Sequence, residues 1–129
     1  MRVFKTRFFA RFADKNNIED ADLCEAVGRA MAGLTDADLG GGVIKQRIAR
    51  KGEGRSGGFR TIVLFRKADR AIFVDGYAKK DSANISREDL KDYRSLAGVM
   101  LAYSDAELTT AVGLGRLLEV NCNDEAKIS

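Results

Sequence analysis

Apolar residues recur along this chain in two rhythms, one of period three to four and one of period two. Residues 2–4 read as a short strand. From Thr6 to Asn16, Phe8, Phe9 and Phe12 recur at spacings of three and four, with Arg7, Arg11 and Lys15 between them. That spacing predicts a helix with one apolar side and its phenylalanines in the core. Asn16 and Asn17 interrupt the pattern, and Asp20 is expected to cap a second helix, its carboxylate accepting from the free amides of the first turn. Leu23, Ala26, Val27, Ala30, Met31 and Leu34 follow at helical spacing. Two helices with a short turn between them predict a helical hairpin, ended by Gly33 and then by Gly40, Gly41 and Gly42.

The rhythm then shortens. Val43 to Arg50 alternates loosely, Phe59 to Arg66 is rich in β-branched and aromatic residues, and Ala71 to Tyr77 is a third strand candidate. The link KADR suits an antiparallel hairpin between the last two, while the longer KGEGRSGG reads as a mobile loop. Ser86 with Asp89, and Ser104 with Glu107, carry the spacing of capping boxes. They open one helix with Leu90, Tyr93, Ala97, Met100 and Leu101 on its apolar side, and another through Leu108, Ala111 and Val112 that Gly115 stops. Leu117 to Val120 is a last short strand, and the polar tail from Asn121 is expected to fray. This order predicts an α+β domain over residues 1–120, a tail over 121–129, and helices against one face of a small antiparallel sheet. The other face would stay open and could carry cations.

Composition sharpens the reading. The 129 residues suit one domain, and no apolar run approaches the ~20 residues of a membrane span. MRVFKTRFFARF lacks the continuous apolar stretch of a signal peptide. It is amphipathic and basic, so a helix lying on a membrane surface is the alternative to a helix folded into the domain. Cys24 and Cys122 lie far apart in sequence and read as free thiols of a reducing cytosol. With no histidine anywhere, neither a metal site nor a cofactor is expected. The net charge of +3 is unevenly spread: residues 45–80 hold eleven cations against Glu53, Asp69 and Asp75, a segment of +8 beside a remainder of −5. Such asymmetry favours a polyanion as partner.

Three segments, LGGGVIKQRIAR, GRSGGFRTIVLFR and RAIFVDGYAKKDSANIS, together with the later GRLLEV, resemble the RelE/ParE superfamily of toxins and within it a HigB-like branch. The resemblance runs from about Phe4 to Val120. It implies a small twisted antiparallel sheet with an N-terminal helical pair, and a cognate antitoxin, often with a helix-turn-helix domain. It also implies a cytoplasmic, ribosome-dependent endoribonuclease acting on messenger RNA. Two other readings fit the basic segment: a ParE-like gyrase inhibitor, and a non-catalytic module that binds nucleic acid or antitoxin.

Metal-free RNA cleavage needs a base for the 2′-hydroxyl, cations for the phosphate, and an acid for the departing 5′-oxygen. Without histidine, lysine becomes the candidate proton carrier. Arg60, in the GGFR segment, is placed by the resemblance at the scissile phosphate, where a planar guanidinium suits bidentate contact. Lys45 and Arg47 sit two apart and face the same way on a strand, with Lys45 the better acid/base candidate. Arg50, Lys51 and Arg55 are read as electrostatic contacts to RNA or ribosome. Lys79 and Lys80 fall where related toxins carry a Lys/Arg cluster, and Asn84 is read as a hydrogen-bonding contact to RNA. Some relatives have a tyrosine or histidine near the C-terminal end of the sheet. Here Ile85 follows Asn84, and Tyr77 precedes the lysines. Asp36 and Asp38 read as solvated or capping groups, and Gly57 and Gly58 as turn or bulge residues. The nucleotide-binding P-loop pattern is absent from the sequence.

Overall fold

The computed structural model describes residues 1–50, 54–78 and 85–122. Strand β1 (Arg2–Thr6) leads into helix α1 (Arg7–Lys15), and α2 (Asp20–Met31) follows. Four strands come next: β2 (Ala37–Gly40), β3 (Val43–Arg50), β4 (Gly54–Arg66) and β5 (Arg70–Ala78). Helices α3 (Arg87–Met100) and α4 (Asp105–Gly113) precede the last strand, β6 (Leu117–Val120). The strands form one six-stranded sheet in the order β2-β3-β4-β5-β1-β6. All neighbours are antiparallel except β1 and β5, whose parallel pairing is allowed by the long excursion through α1, α2 and three strands.

Each helix begins where a side chain satisfies the free amides of its first turn. Thr6 Oγ1 accepts from Phe9 N–H at 3.1 Å, and Ser86 and Ser104 do the same for Asp89 and Glu107. The cap of α2 is Glu19 and not Asp20: Glu19 forms a capping box with Asp22, while Asp20 pairs with Lys5 at 3.0 Å. The chain enters this helix one residue earlier than the sequence suggests, because Ile18 is buried and draws the turn inward.

The sheet carries helices on both faces, not one. Helices α1 and α2 bury Phe9, Ala13, Leu23, Ala26 and Val27 against Val3, Ile44, Ile48, Phe59, Val63 and Phe73. On the opposite face Ala97, Met100 and Leu108 cover Phe4, Val43, Ile62, Leu64, Ile72 and Leu117. Central strands read as near-continuous apolar runs because both faces are covered. The helical spacing over-extends at two places: Phe8 is 58% exposed, and Met31 and Leu34 are also exposed.

Strand β2 lies in the segment read as loop. It is short, with one bulge against β3 between Asp38 and Gly40. Gly40, Gly41 and Gly42 all have positive φ. A Cβ on Gly42 would stand 2.5 Å from Leu101 Cδ1, so the turn uses glycine both for its left-handed backbone and for the close approach of α3. Strand β4 starts at Gly54, and its pairing with β3 shifts between Ile48 and Arg50. Gly57 and Gly58 therefore lie in a strand beside an irregularity rather than in a free loop.

Cys24 and Cys122 form a disulfide, which overturns their reading as separate thiols. Sequence separation misled: β6 pairs with β1 and brings the chain end back beside α2. Asn121 and Cys122 are therefore held against the domain rather than frayed; residues 123–129 lie outside the described residues. Among the described residues, no helix is long and apolar enough to cross a membrane. The apolar side of α1 is occupied by the core, which disfavours the membrane-surface arrangement.

A bridge closing a loop of 98 residues restricts the unfolded chain strongly. Cys122→Ser is expected to lower the stability of the oxidised protein by about 2–4 kcal/mol in urea unfolding. Reductant should bring the wild type to the same midpoint; a wild type indifferent to reductant would contradict the bridge.

Candidate functional site

The strand alternation that builds the two cores also sorts the cations. On β3, Ile44 and Ile48 face α1 and α2, while Val43 faces α3, so Lys45 and Arg47 share the α3 face. On β4, Ile62 and Leu64 lie on that same face, and Arg60 continues the row beyond them. The registers place Arg47 directly opposite Arg60, and Arg60 directly opposite Tyr77. One step along, Lys45, Ile62 and Asp75 form the neighbouring row.

A bulge in β5 makes this arrangement possible. Val63 pairs with Phe73, but Ile62 pairs with Asp75, so Val74 is the extra residue. Without it Arg60 would face Gly76, and Tyr77 would point at α1. With it Gly76 turns toward α1, where a Cβ would meet Phe12 Cε2 at 2.5 Å. Phe12 in turn packs edge-on against Phe59, at a centroid distance of 5.7 Å. Any side chain at position 76 would displace that pair.

Arg60 is half-buried, and its Nη1 is buried with no hydrogen-bond partner among the described residues. Such a nitrogen has lost water without regaining an acceptor, which is costly unless an anion arrives. Lys45 has no ion-pair partner among the described residues. Arg47 is held at one side. Its N–H donates to Asp36 Oδ2 at 2.6 Å and its Nε to Asp36 Oδ1 at 3.2 Å. The Arg47 side chain is 43% exposed, which leaves room for a ligand to approach it.

Asp36 is thus neither solvated nor a helix cap. Its own N–H donates to Gln46 Oε1 at 2.7 Å, and Arg29 Nη1 reaches its carboxylate at 3.2 Å. Arg29 Nη2 also donates to the Arg47 carbonyl. Gln46, 1% exposed, donates to the Ala26 carbonyl at 2.9 Å. Burial pushes the Asp36 carboxyl up, but hydrogen bonds from Arg47 and Arg29 and the Arg47 charge outweigh it and hold the group below its usual range. Asp38 does cap locally, accepting from Gly40 N–H at 2.9 Å.

Helix α3 closes the other side. Tyr93 Oη donates to Asp75 Oδ2. Burial and this bond to a carboxylate push the Tyr93 phenol far above the ordinary tyrosine range. Burial also raises the Tyr77 phenol, against the nearby Arg60 charge and with that of Asp75. Both phenols therefore stay protonated at neutral pH.

The positive segment does not form one continuous face. Arg66 and Arg70 both pair with Asp69, and Arg70, only 2% exposed, donates to the carbonyls of Met100 and Tyr103. They fasten the α3–α4 corner at the far end of the sheet, about 20 Å of strand away from Arg60. Lys51, Lys79, Lys80 and Asn84 lie outside the described residues. Arg50 and Arg55 lie on β3 and β4, with only their backbones described.

Residues 1–120 match the family model for the RelE toxin of the RelE/RelB toxin–antitoxin system. The chain belongs to the RelE toxin family. No curated protein matches it. Membership makes this chain a toxin of a toxin–antitoxin pair, with an antitoxin as partner. The sheet flanked by helices agrees with a RelE-like fold. Tyr77, Asp75, Tyr93, Asp36 and Gln46 are neighbours of the cation row that the sequence does not place there: Asp36 reads as a solvated or capping group, Tyr93 as part of the apolar side of α3, Tyr77 as a residue before the lysines and Asp75 as a countercharge, while Gln46 is only a polar letter within a strand.

The Asp36 carboxylate has a folded pKa below its unfolded value near 3.8, so its stabilisation is complete above that value. It is lost as pH falls through the folded pKa. Asp36→Asn is expected to lower stability at pH 7 and to flatten the acid limb of the stability–pH profile, read by urea unfolding between about pH 2 and 7. A variant with the wild-type acid limb would remove Asp36 from this role.

Proposed function

We propose that this RelE-family toxin is a metal-independent, ribosome-dependent endoribonuclease of the HigB-like branch, and that it cuts messenger RNA in the cytoplasm. The observation that carries the reading is the row Arg47–Arg60–Tyr77 with Lys45 beside it, centred on a buried guanidinium nitrogen that lacks an acceptor among the described residues. A scissile phosphate supplies that acceptor. Two guanidinium groups on neighbouring strands stabilise the charge that grows on the phosphorane oxygens, which is the electrostatic part of catalysis. Lys45 takes the 2′-hydroxyl proton from the β3 side. The products are a 2′,3′-cyclic phosphate and a 5′-hydroxyl.

Lys79 and Lys80, which follow β5 in the sequence, belong to the same catalytic set on the family resemblance. Arg50, Lys51, Arg55 and Asn84 hold the RNA or the ribosome. This part of the reading rests on the family resemblance and on charge. The cognate antitoxin, of helix-turn-helix type, covers or distorts the cationic row, and an acidic segment in it would suit the charge.

Arg60→Ala is expected to reduce codon-positioned cuts in a translation reaction by about 100-fold or more, mapped by primer extension, with an unchanged melting curve. Undiminished cuts would remove Arg60 from the site. Supercoiling inhibition without cuts would favour the gyrase reading. Excess antitoxin should abolish cleavage, and full activity in a confirmed complex would refute its covering of the row.

A further inference from the structure

Resting on the nuclease reading, we infer that Tyr77 is the general acid, its phenol handing a proton to the departing 5′-oxygen while Arg60 holds the phosphate. The sequence leaves that role without an owner, since the chain has no histidine and Ile85 follows Asn84. The geometry supplies one.

Displacement at phosphorus is in line, so the attacking 2′-oxygen and the leaving 5′-oxygen lie on opposite sides of the phosphate. Acid and base must flank it likewise. Arg60 stands on β4, Lys45 on β3 to one side and Tyr77 on β5 to the other. Neighbouring strands are about 4.8 Å apart and Lys45 lies one pair along from the Arg47–Arg60–Tyr77 row, so Lys45 and Tyr77 lie diagonally across Arg60, about 12 Å apart at the backbone. That span accommodates a phosphate and its two ester oxygens. Tyr77 is half-buried, and its hydroxyl has no hydrogen-bond partner among the described residues. Its neighbour in the row, Arg60 Nη1, is unpartnered as well. Two adjacent donors without acceptors mark where an anionic ligand with a departing oxygen fits.

The competing hydroxyl is engaged elsewhere: Tyr93 donates to Asp75, which also accepts from Gly76 N–H at 2.8 Å. This bond pins α3 to the bulge that orients Tyr77. A phenol is protonated at neutral pH, and burial of Tyr77 raises its pKa further, so the proton is in place before the reaction starts and leaves only toward the strongly basic departing oxygen.

The step balances. With Lys45 entering as the neutral amine, the 2′-oxygen forms a bond to phosphorus as its proton passes to the Lys45 nitrogen, which becomes an ammonium. The P–O5′ bond breaks, and its electron pair takes the Tyr77 proton. Solvent water then returns a proton to the phenolate, and Lys45 releases its own to solvent.

A substrate whose leaving 5′-oxygen is replaced by sulfur isolates this role, because a thiolate departs without being protonated. Programmed ribosomes carry either the natural message or one with a single bridging 5′-phosphorothiolate at the cut position. Tyr77→Phe should cut the natural linkage about 100-fold or more slowly, and the sulfur linkage within about threefold of the wild type. Arg60→Ala should be slow on both, since it serves the phosphate and not the leaving group. Equal loss on both linkages by Tyr77→Phe, or no loss on either, overturns the assignment. A wild type that cuts neither linkage overturns the nuclease reading, and the acid with it.

Discussion

One inserted residue in β5, Val74, decides which side of the sheet the end of that strand addresses. Strand side chains alternate with period two, so a single extra residue exchanges the faces of everything beyond it. Before the bulge, Phe73 serves the α1–α2 core and Ile72 the α3–α4 core. After it, Asp75 and Tyr77 stand beside Ile62 and Arg60, and Gly76 receives the Phe12 ring. The row of polar groups on the α3 face exists only because the register slips there. Phe12 and Tyr93 hold the slip from the two faces, one by packing on Gly76 and the other by its bond to Asp75.

The same sheet uses its cations in two distinct ways. At one end Arg66 and Arg70 are consumed by Asp69 and by the last carbonyls of α3, so their charge binds the fold to itself. At the other end the partners are incomplete. Arg47 is oriented by Asp36 through one edge of its fork, and Arg60 has a buried nitrogen with no acceptor among the described residues. Arg70 also keeps a buried Nε without a partner, so an unmet nitrogen alone does not mark a site; Arg70 is held by a carboxylate and two carbonyls, whereas Arg60 has no ion pair among the described residues and lies in a row of half-buried polar groups. This distinction, and not the count of positive residues, separates the candidate site from the rest of the segment.

Much of the fold was legible in the sequence. Sequence pattern located both helical pairs, five of the strands and the serine caps, because those features are local. It missed β2, whose ADLG is four residues long with no β-branched residue and pairs where the glycine turn folds it back on β3. It allowed one open face, because Tyr93, Ala97 and Met100 show that α3 has an apolar side without saying which surface that side meets. It separated Cys24 from Cys122, since nothing local reveals that β6 returns beside β1. For the site, Lys45, Arg47 and Arg60 could be named from strand position and resemblance. Tyr77 could not be placed beside them. The hairpin at KADR, continued without interruption, pairs Arg60 with Gly76, and only the bulge moves the pairing to Tyr77.

The central claim is that a message lies across the α3 face with its scissile phosphate on Arg60. A structure of the toxin on a ribosome, with a message blocked by a 2′-O-methyl group at the cut position, tests it most directly. The account predicts the phosphate within hydrogen-bond reach of Arg60, with Lys45 toward the 2′-oxygen and Tyr77 toward the 5′-oxygen. A message resting on the α1–α2 face, or one whose phosphate contacts none of these groups, would contradict it.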